Sequence, residues 1–156
     1  MTEHHETITS LAAEIKQPNL RKLLQRFLYD QLHPDSTHSS SNIPLSNCPK
    51  LSSDTKIHIH SSATAYFYAP SDLSGIGGMR HELIWATPSW RWGPPWYDCM
   101  FLNSDPDLEG MRGLDIVCIQ VLFSFEFCRK RYPCALVRWF SHIGDATDED
   151  TGMWIV

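Results

Sequence analysis

Residues 115–143 constrain this chain more than any other stretch. The run DIVCIQVLFSFEF places Val117, Ile119, Val121, Phe123, Phe125 and Phe127 at alternate positions. A β-strand sends alternate side chains to opposite faces, so these six form one apolar face. The intervening positions run from Ile116 and Cys118 through Gln120, Leu122 and Ser124 to Glu126. That face turns polar toward the end of the strand and is expected to meet water there. Cys128-Arg129-Lys130-Arg131 then breaks the pattern as a charged turn, and Tyr132 to Ile143 (YPCALVRWFSHI) reads as the return strand. Burying such side chains gains roughly 1.5–3 kcal/mol each. Ordering the backbone costs about 1–2 kcal/mol per residue. The hairpin therefore cannot stand alone, and further strands are expected over its apolar face.

Upstream, residues 1–7 read as a loose tail. A short helix capped by Thr9 or Ser10 is expected to run to Lys16, and Pro18 interrupts it. Asn19 is placed to cap a second helix, Leu20 to Leu32. Its apolar stripe is Leu20, Leu23, Leu24, Phe27 and Leu28, with Arg21, Lys22, Gln25 and Arg26 away from it. From 34 to 54 the chain is rich in Ser, Pro and Asn and reads as a linker. The expected organisation is thus a helical appendage over 1–33, a linker over 34–54 and a β-rich domain over 55–156. Within that last domain, Lys56–His60, Ala65–Tyr68, His81–Thr87, Tyr97–Leu102 and Met153–Val156 also read as strands. The fold class is α+β: an N-terminal helical segment plus a small antiparallel sheet. Short strands between turn signals predict that the sheet curls into a partly open barrel, SH3-like or bromo-adjacent-homology-like.

Chemistry is sparse. His58 and His60 share a strand face, and Cys99, His81 or His142 could add a ligand, but the closely spaced Cys/His pairs of a zinc site are missing. The carboxylates Asp145, Asp148, Glu149 and Asp150 lack the alternation of a calcium loop and read as a solvated turn. Gly75, Gly77 and Gly78 lack the Lys-Ser/Thr of a phosphate loop and read as a turn. Cys99 and Cys134 lie in apolar strand patterns, as small hydrophobes. No catalytic residue, metal or cofactor is assigned. The candidate interaction surface is Arg129, Lys130 and Arg131 at the hairpin tip, with Trp139 and Trp154 among six tryptophans. Thirteen Lys and Arg against eighteen Asp and Glu leave a net charge of −5, which argues against a broad nucleic-acid footprint. No apolar run approaches the ~20 residues of a membrane span. The odd cysteine count and the polar N-terminus point to an intracellular protein.

Consecutive motifs carry a family resemblance. FLYDQLHPD, FYAPSDLSGIGGMRHE, ATPSWRWGPPWYDCMF, GMRGLD and YPCALVRWFSHIGDATDEDTGMWIV follow in order from about Leu20 to the end. Together they resemble the C-terminal region of Plavaka-type transposases, proteins of CACTA-related DNA transposons of basidiomycete fungi. The resemblance implies a non-catalytic accessory segment, because that family's chemistry is attributed to an upstream nuclease-like domain with no counterpart here. It implies nuclear localisation and binding to DNA, chromatin or another part of the transposase. The family continues past the position of Val156, so it also implies a β domain cut short. Trp85, Trp92, Trp96, Cys118 and Cys128 stand where the family pattern carries basic or small residues. One C-to-T change converts an Arg codon to Trp or Cys, so a decaying transposon copy is expected. The alternatives are an independent aromatic-rich peptide-binding module and a small metal-dependent enzyme using His58, His60 and the 145–150 turn.

Overall fold

The structure is a computed structural model of the 156-residue chain. It describes residues 4–35, 39–68, 76–108, 110–141, 143–144, 146–153 and 155–156. Among the described residues the fold is α+β: two helices with a five-stranded and a three-stranded antiparallel sheet, neither closed into a barrel. The expected curl into a barrel is thus replaced by two separate sheets. Contacts divide the chain into two compact units, 1–59 with 123–133, and 60–122 with 134–156.

The first unit begins with β1 (His4–Thr7), antiparallel to β2 (Lys56–His60) with His4 opposite Ile59 and Thr7 opposite Lys56. Residues 4–7 are therefore an edge strand, not the expected tail. Helix α1 (Ile8–Glu14) follows at once. Its cap is Thr7 rather than Thr9 or Ser10. Thr7 Oγ1 accepts from the Ser10 N–H at 3.1 Å and Ser10 Oγ accepts from the Thr7 N–H at 2.9 Å, a reciprocal box that satisfies two otherwise orphaned donors. At its other end Gln17 N–H donates to Ala12 O and Lys16 N–H to Ala13 O, at 2.8 and 3.2 Å. These are the two bonds of a Schellman ending, with Lys16 at the left-handed position (φ 55°).

Helix α2 spans Leu20–Leu32 as the periodicity predicts. Asn19 occupies its N-cap position, yet its side chain makes no capping bond. Leu20, Leu24 and Leu28 are buried while Leu23 is exposed, so the inward ridge is narrower than the stripe. The helix also uses its polar side. Gln25 is buried and its Nε2 donates to Pro49 O at 2.9 Å. Arg26 Nη1 donates to the carbonyls of Ser40 and Ile43. Asp30 accepts from the Ser40 N–H at 3.1 Å and the Ser40 hydroxyl at 2.6 Å. These bonds hold down what reads in sequence as a linker. Over 39–54 it forms two short 3-10 turns and buries Ser40, Cys48 and Leu51. The division of the molecule falls elsewhere for that reason: the helices and residues 39–59 belong to one unit, with the hairpin tip.

Strand β7 (Leu114–Phe127) and strand β8 (Lys130–Phe140) form the hairpin read from the sequence. Cys128 and Arg129 make a two-residue turn with φ of 51° and 62°, the mirror-image geometry whose twist suits a tight hairpin. Lys130 and Arg131 therefore belong to the return strand. Val117, Ile119, Val121, Phe123 and Phe125 are buried, as the alternation requires, and Phe127 beside the turn is half-buried. The opposite face meets water later than expected, only at its last residue before the turn. Leu122 and Ser124 are buried as well, and only Glu126 is exposed. In this unit the cover over the hairpin comes from a helix: Phe27 of α2 meets the Tyr132 ring edge-on at 6.3 Å, and Tyr132 stacks on Phe125 at 5.7 Å.

In the second unit β3 (Ser62–Tyr68), β4 (Met79–Thr87) and β5 (Trp96–Tyr97) form the three-stranded sheet. Strand β6 (Cys99–Asn103) pairs antiparallel with Leu114–Cys118 of β7. The single strand expected over Tyr97–Leu102 is split at Asp98. There the backbone changes partner: Asp98 N–H donates to Trp85 O of β4 and Asp98 O accepts from the Ile119 N–H of β7, both at 2.9 Å. Ala86, Ile119 and Leu122 form a small core with Ile84, Met100 and Val137 around it. Residues 153, 155 and 156 are in no strand, although Ile143 N–H donates to Ile155 O at 2.8 Å.

Candidate functional site: an aromatic face on a β-ribbon

The β3–β4 register pairs Ser62 with Trp85, Thr64 with Leu83, Tyr66 with His81 and Tyr68 with Met79. Directly opposed residues share a face, so these eight line one side of the ribbon. The other side carries Ala63 opposite Ile84, and Ile84 and the neighbouring Ala86 turn toward the core. The first side is left outward. Tyr66 is 73% exposed, and Tyr68, Leu83 and Met79 are exposed too. A two-sided ribbon ordinarily carries polar residues on its solvent face, so a run of exposed Tyr, Leu and Met makes this side a candidate binding surface.

Strand β5 extends the same face. Thr87 is opposite Trp96, which brings Trp96 into line with Trp85. Trp90, from the connecting turn, meets Trp85 edge-on at 4.3 Å and lies 6.0 Å from Trp96. The turn is strained: Arg91 and Trp92 both adopt positive φ, 48° and 66°, and Gly93 N–H donates to Trp90 O at 2.8 Å. Left-handed backbone at bulky residues is costly and concentrates at functional sites. Here it presents Trp92 to solvent and lays the Arg91 guanidinium 5.3 Å over the Trp90 ring. At 4.3 Å the Trp85 and Trp90 rings are in contact and leave no room for a methylammonium group between them.

Asp98 fixes this corner. Its carboxylate accepts from the Trp85 backbone N–H and from Trp96 Nε1, each at 2.7 Å. At the other end of the face, Gly78 (φ 77°) lies against the Tyr68 ring; a Cβ there would come within 2.7 Å of it. The Gly77-Gly78 pair is thus a turn fitted under an aromatic residue, and Gly75 lies outside the described residues.

The residues singled out from sequence fall as follows. Arg129, Lys130 and Arg131 are exposed at the hairpin tip in the first unit. Lys130 Nζ sits 5.1 Å over the Tyr132 ring, and Arg131 Nε donates to the buried Ser124 hydroxyl at 3.0 Å. Two of the three cations are therefore engaged by the hairpin itself. Trp139, 57% exposed on β8, belongs to the second unit, and Trp154 lies outside the described residues. Of the metal candidates, His142 lies outside the described residues, and among the rest no three His, Cys, Asp or Glu converge. His81 instead belongs to the aromatic face, 5.9 Å from Tyr66. Asp145 is outside the described residues. Asp148 closes the acidic turn by accepting from the Thr151 hydroxyl at 2.8 Å and the Thr151 N–H at 2.9 Å. Burial pushes the Cys134 thiol up to about 12, which keeps it protonated and inert at neutral pH.

Tyr66, Tyr68, Met79, Leu83 and Asp98 carry the surface, and none of them stands in a basic or metal-ligating motif. Their sequence signal is weak: each strand mixes apolar and polar residues on both faces, with Tyr66 and Tyr68 beside Phe67 and with Leu83 and Trp85 beside Ile84 and Ala86, so no local pattern says which side faces out. No described helix is long and apolar enough to cross a membrane. Compared with known proteins, the chain matches no family model, no curated protein and no solved structure.

Proposed function

We propose that this chain is a non-catalytic binding module that seats a basic, extended protein segment on the aromatic face of β3, β4 and β5. Its motif resemblance to Plavaka-type transposases makes it an accessory segment of a transposase-derived protein. The partner is then a basic stretch of chromatin or of the transposase itself, and the site of action nuclear. The observation that carries the reading is the row Tyr68, Met79, Tyr66, Leu83 and Trp96, exposed along one ribbon face.

Charge selects the partner. The unit bearing this face has four arginines, no lysine and eleven carboxylates, a net −7; the other unit has nine basic and seven acidic residues, a net +2. An acidic unit disfavours phosphates and favours Lys and Arg in a partner. Exposed Tyr and Trp rings bind guanidinium groups by stacking and by cation–π attraction, as Trp90 does with Arg91. The three cations of the hairpin tip favour DNA less, because Lys130 and Arg131 already have partners within their own hairpin.

The test uses the full chain in fluorescence anisotropy titrations with a short arginine-rich peptide, a scrambled acidic peptide of equal length and DNA oligonucleotides. The basic peptide is expected to bind best. Tyr66→Ser and Leu83→Ser should each weaken it by about tenfold while Trp139→Ser leaves it unchanged. Preferential binding of DNA, or equal binding of both peptides and DNA by the unaltered chain and the variants, would overturn the reading.

A further inference from the structure

Strands β6 and β7 set Cys99 directly opposite Cys118. Antiparallel ladders alternate pairs that exchange backbone hydrogen bonds with pairs that do not, and the second kind brings Cα atoms to about 4.5 Å. Here the Ile119 N–H donates to Asp98 O at 2.9 Å. That bond joins the residue before Cys99 to the residue after Cys118, so the cysteines are a pair of the closer kind. A disulfide spans Cα separations of about 4.4–6.8 Å. Both side chains point to the same face, and the Cys99 thiol is within hydrogen-bonding reach of Cys118. Gln120 Nε2 donates to Cys118 Sγ at 3.5 Å, steadying the second sulfur. Cys99 is exposed and Cys118 half-buried, so one member is open to a reagent and the other waits beside it.

We propose that Cys99 and Cys118 form a dithiol site that reacts with low-molecular-weight disulfides and closes to a cross-strand bond. Cys99, as thiolate, attacks one sulfur of the small disulfide. The bond to Cys99 Sγ forms, the bond between the two small-molecule sulfurs breaks, and the first thiolate leaves and takes up the proton that Cys99 gave up. Cys118 then attacks Cys99 Sγ in the mixed disulfide. The Cys99–Cys118 bond forms, and the second small thiol departs with the proton from Cys118. The protein dithiol is oxidised by two electrons and the small disulfide is reduced to two thiols. Burial, then the hydrogen bond to Cys118, then the charges of Cys118 and Asp98 hold the Cys99 thiol above its ordinary value. The first attack is therefore slow near neutrality and quickens as pH rises through the alkaline range.

The site stands independently of the binding function proposed above. The test treats the full reduced chain with oxidised glutathione at several pH values and maps the products by mass spectrometry. The expected product has lost two hydrogens, with Cys99 joined to Cys118, and its rate rises with pH. Cys118→Ser should instead trap a glutathione adduct on Cys99, whereas Cys128 forms an adduct without closing a ring. Phenylarsine oxide, which bridges neighbouring thiols, gives a second readout that needs no variant: one arsenical should bind across the reduced pair and none after oxidation. A stable adduct on Cys99 in the unaltered chain with Cys118 still titratable, or a closed bond elsewhere, would overturn the proposal. So would failure of the reduced chain to bind the arsenical.

Discussion

Asp98 ties three strands of the second unit to one another. It hands the backbone from β4 to β7 and its carboxylate holds both Trp85 and Trp96. Removing it takes the partner from the part-buried Trp85 N–H, a loss at the low end of the about 1–3 kcal/mol that an unsatisfied buried donor costs. Asp98→Ala is expected to lower stability by that amount in urea titration and to shift tryptophan emission as Trp96 loses its partner. Lys16 makes the opposite case. It ends α1 in the left-handed region, where a Cβ costs about 1–2 kcal/mol and glycine costs little. Lys16→Gly should raise stability, by somewhat under that figure because glycine also frees the unfolded chain. Asp148 yields a pH prediction. The Thr151 hydroxyl bond first, then its N–H bond, holds the carboxyl below its ordinary value of 3.8. Its share of the turn's stability is therefore present above the ordinary value and lost as pH falls through the lowered one. Carboxyl-carbon NMR titration should give a midpoint below 3.8 for Asp148, and Thr151→Ala should move it upward.

At the scale of elements, the β7–β8 turn is tight but built from unsuited residues. Cys128 and Arg129 both take positive φ, where Asn-Gly is the favoured pair. Replacing them with Asn-Gly is expected to raise the melting temperature without altering the hairpin, a result checked by calorimetry. The same hairpin shows why its strands are readable. Period-two alternation over residues 117–125 favours one register, because a slip would exchange Val117, Ile119, Val121, Phe123 and Phe125 for Cys118, Gln120 and Ser124 on the apolar face. Helix α2 is equally legible over Leu20–Leu32, yet its polar side is not. Gln25, Arg26 and Asp30 look like solvent-facing residues in a helical pattern, and their partners at 40, 43 and 49 lie in a Ser/Pro/Asn stretch with no periodicity. Asp30→Ala should therefore speed amide exchange over residues 39–49 more than over α2 itself. Uniform exchange through both would show that the segment is held by its buried side chains instead.

For the whole molecule, the partition of charge matters more than the total. A net −5 is the sum of one unit at −7 and another at +2. Added salt is expected to weaken binding of a basic peptide, since screening shortens the reach of exposed charges to about 8 Å at physiological ionic strength. Salt-independent affinity would mean that apolar contact alone carries the surface. The amino-acid sequence by itself determined the α+β class, the second helix and the long hairpin, because those follow from the local period of apolar residues. It also determined that no described helix can span a membrane. Tertiary structure alone decided that the helices join residues 39–59 and the hairpin tip in one unit, and that residues 4–7 pair as an edge strand. It alone decided that Tyr66, Tyr68, Leu83 and Trp96 share an outward face and that Cys99 meets Cys118. The physical reason is that strand pairing and side-chain clamps join residues far apart in the chain. Their partners are selected by packing and hydrogen-bond satisfaction across the fold, which no local pattern records.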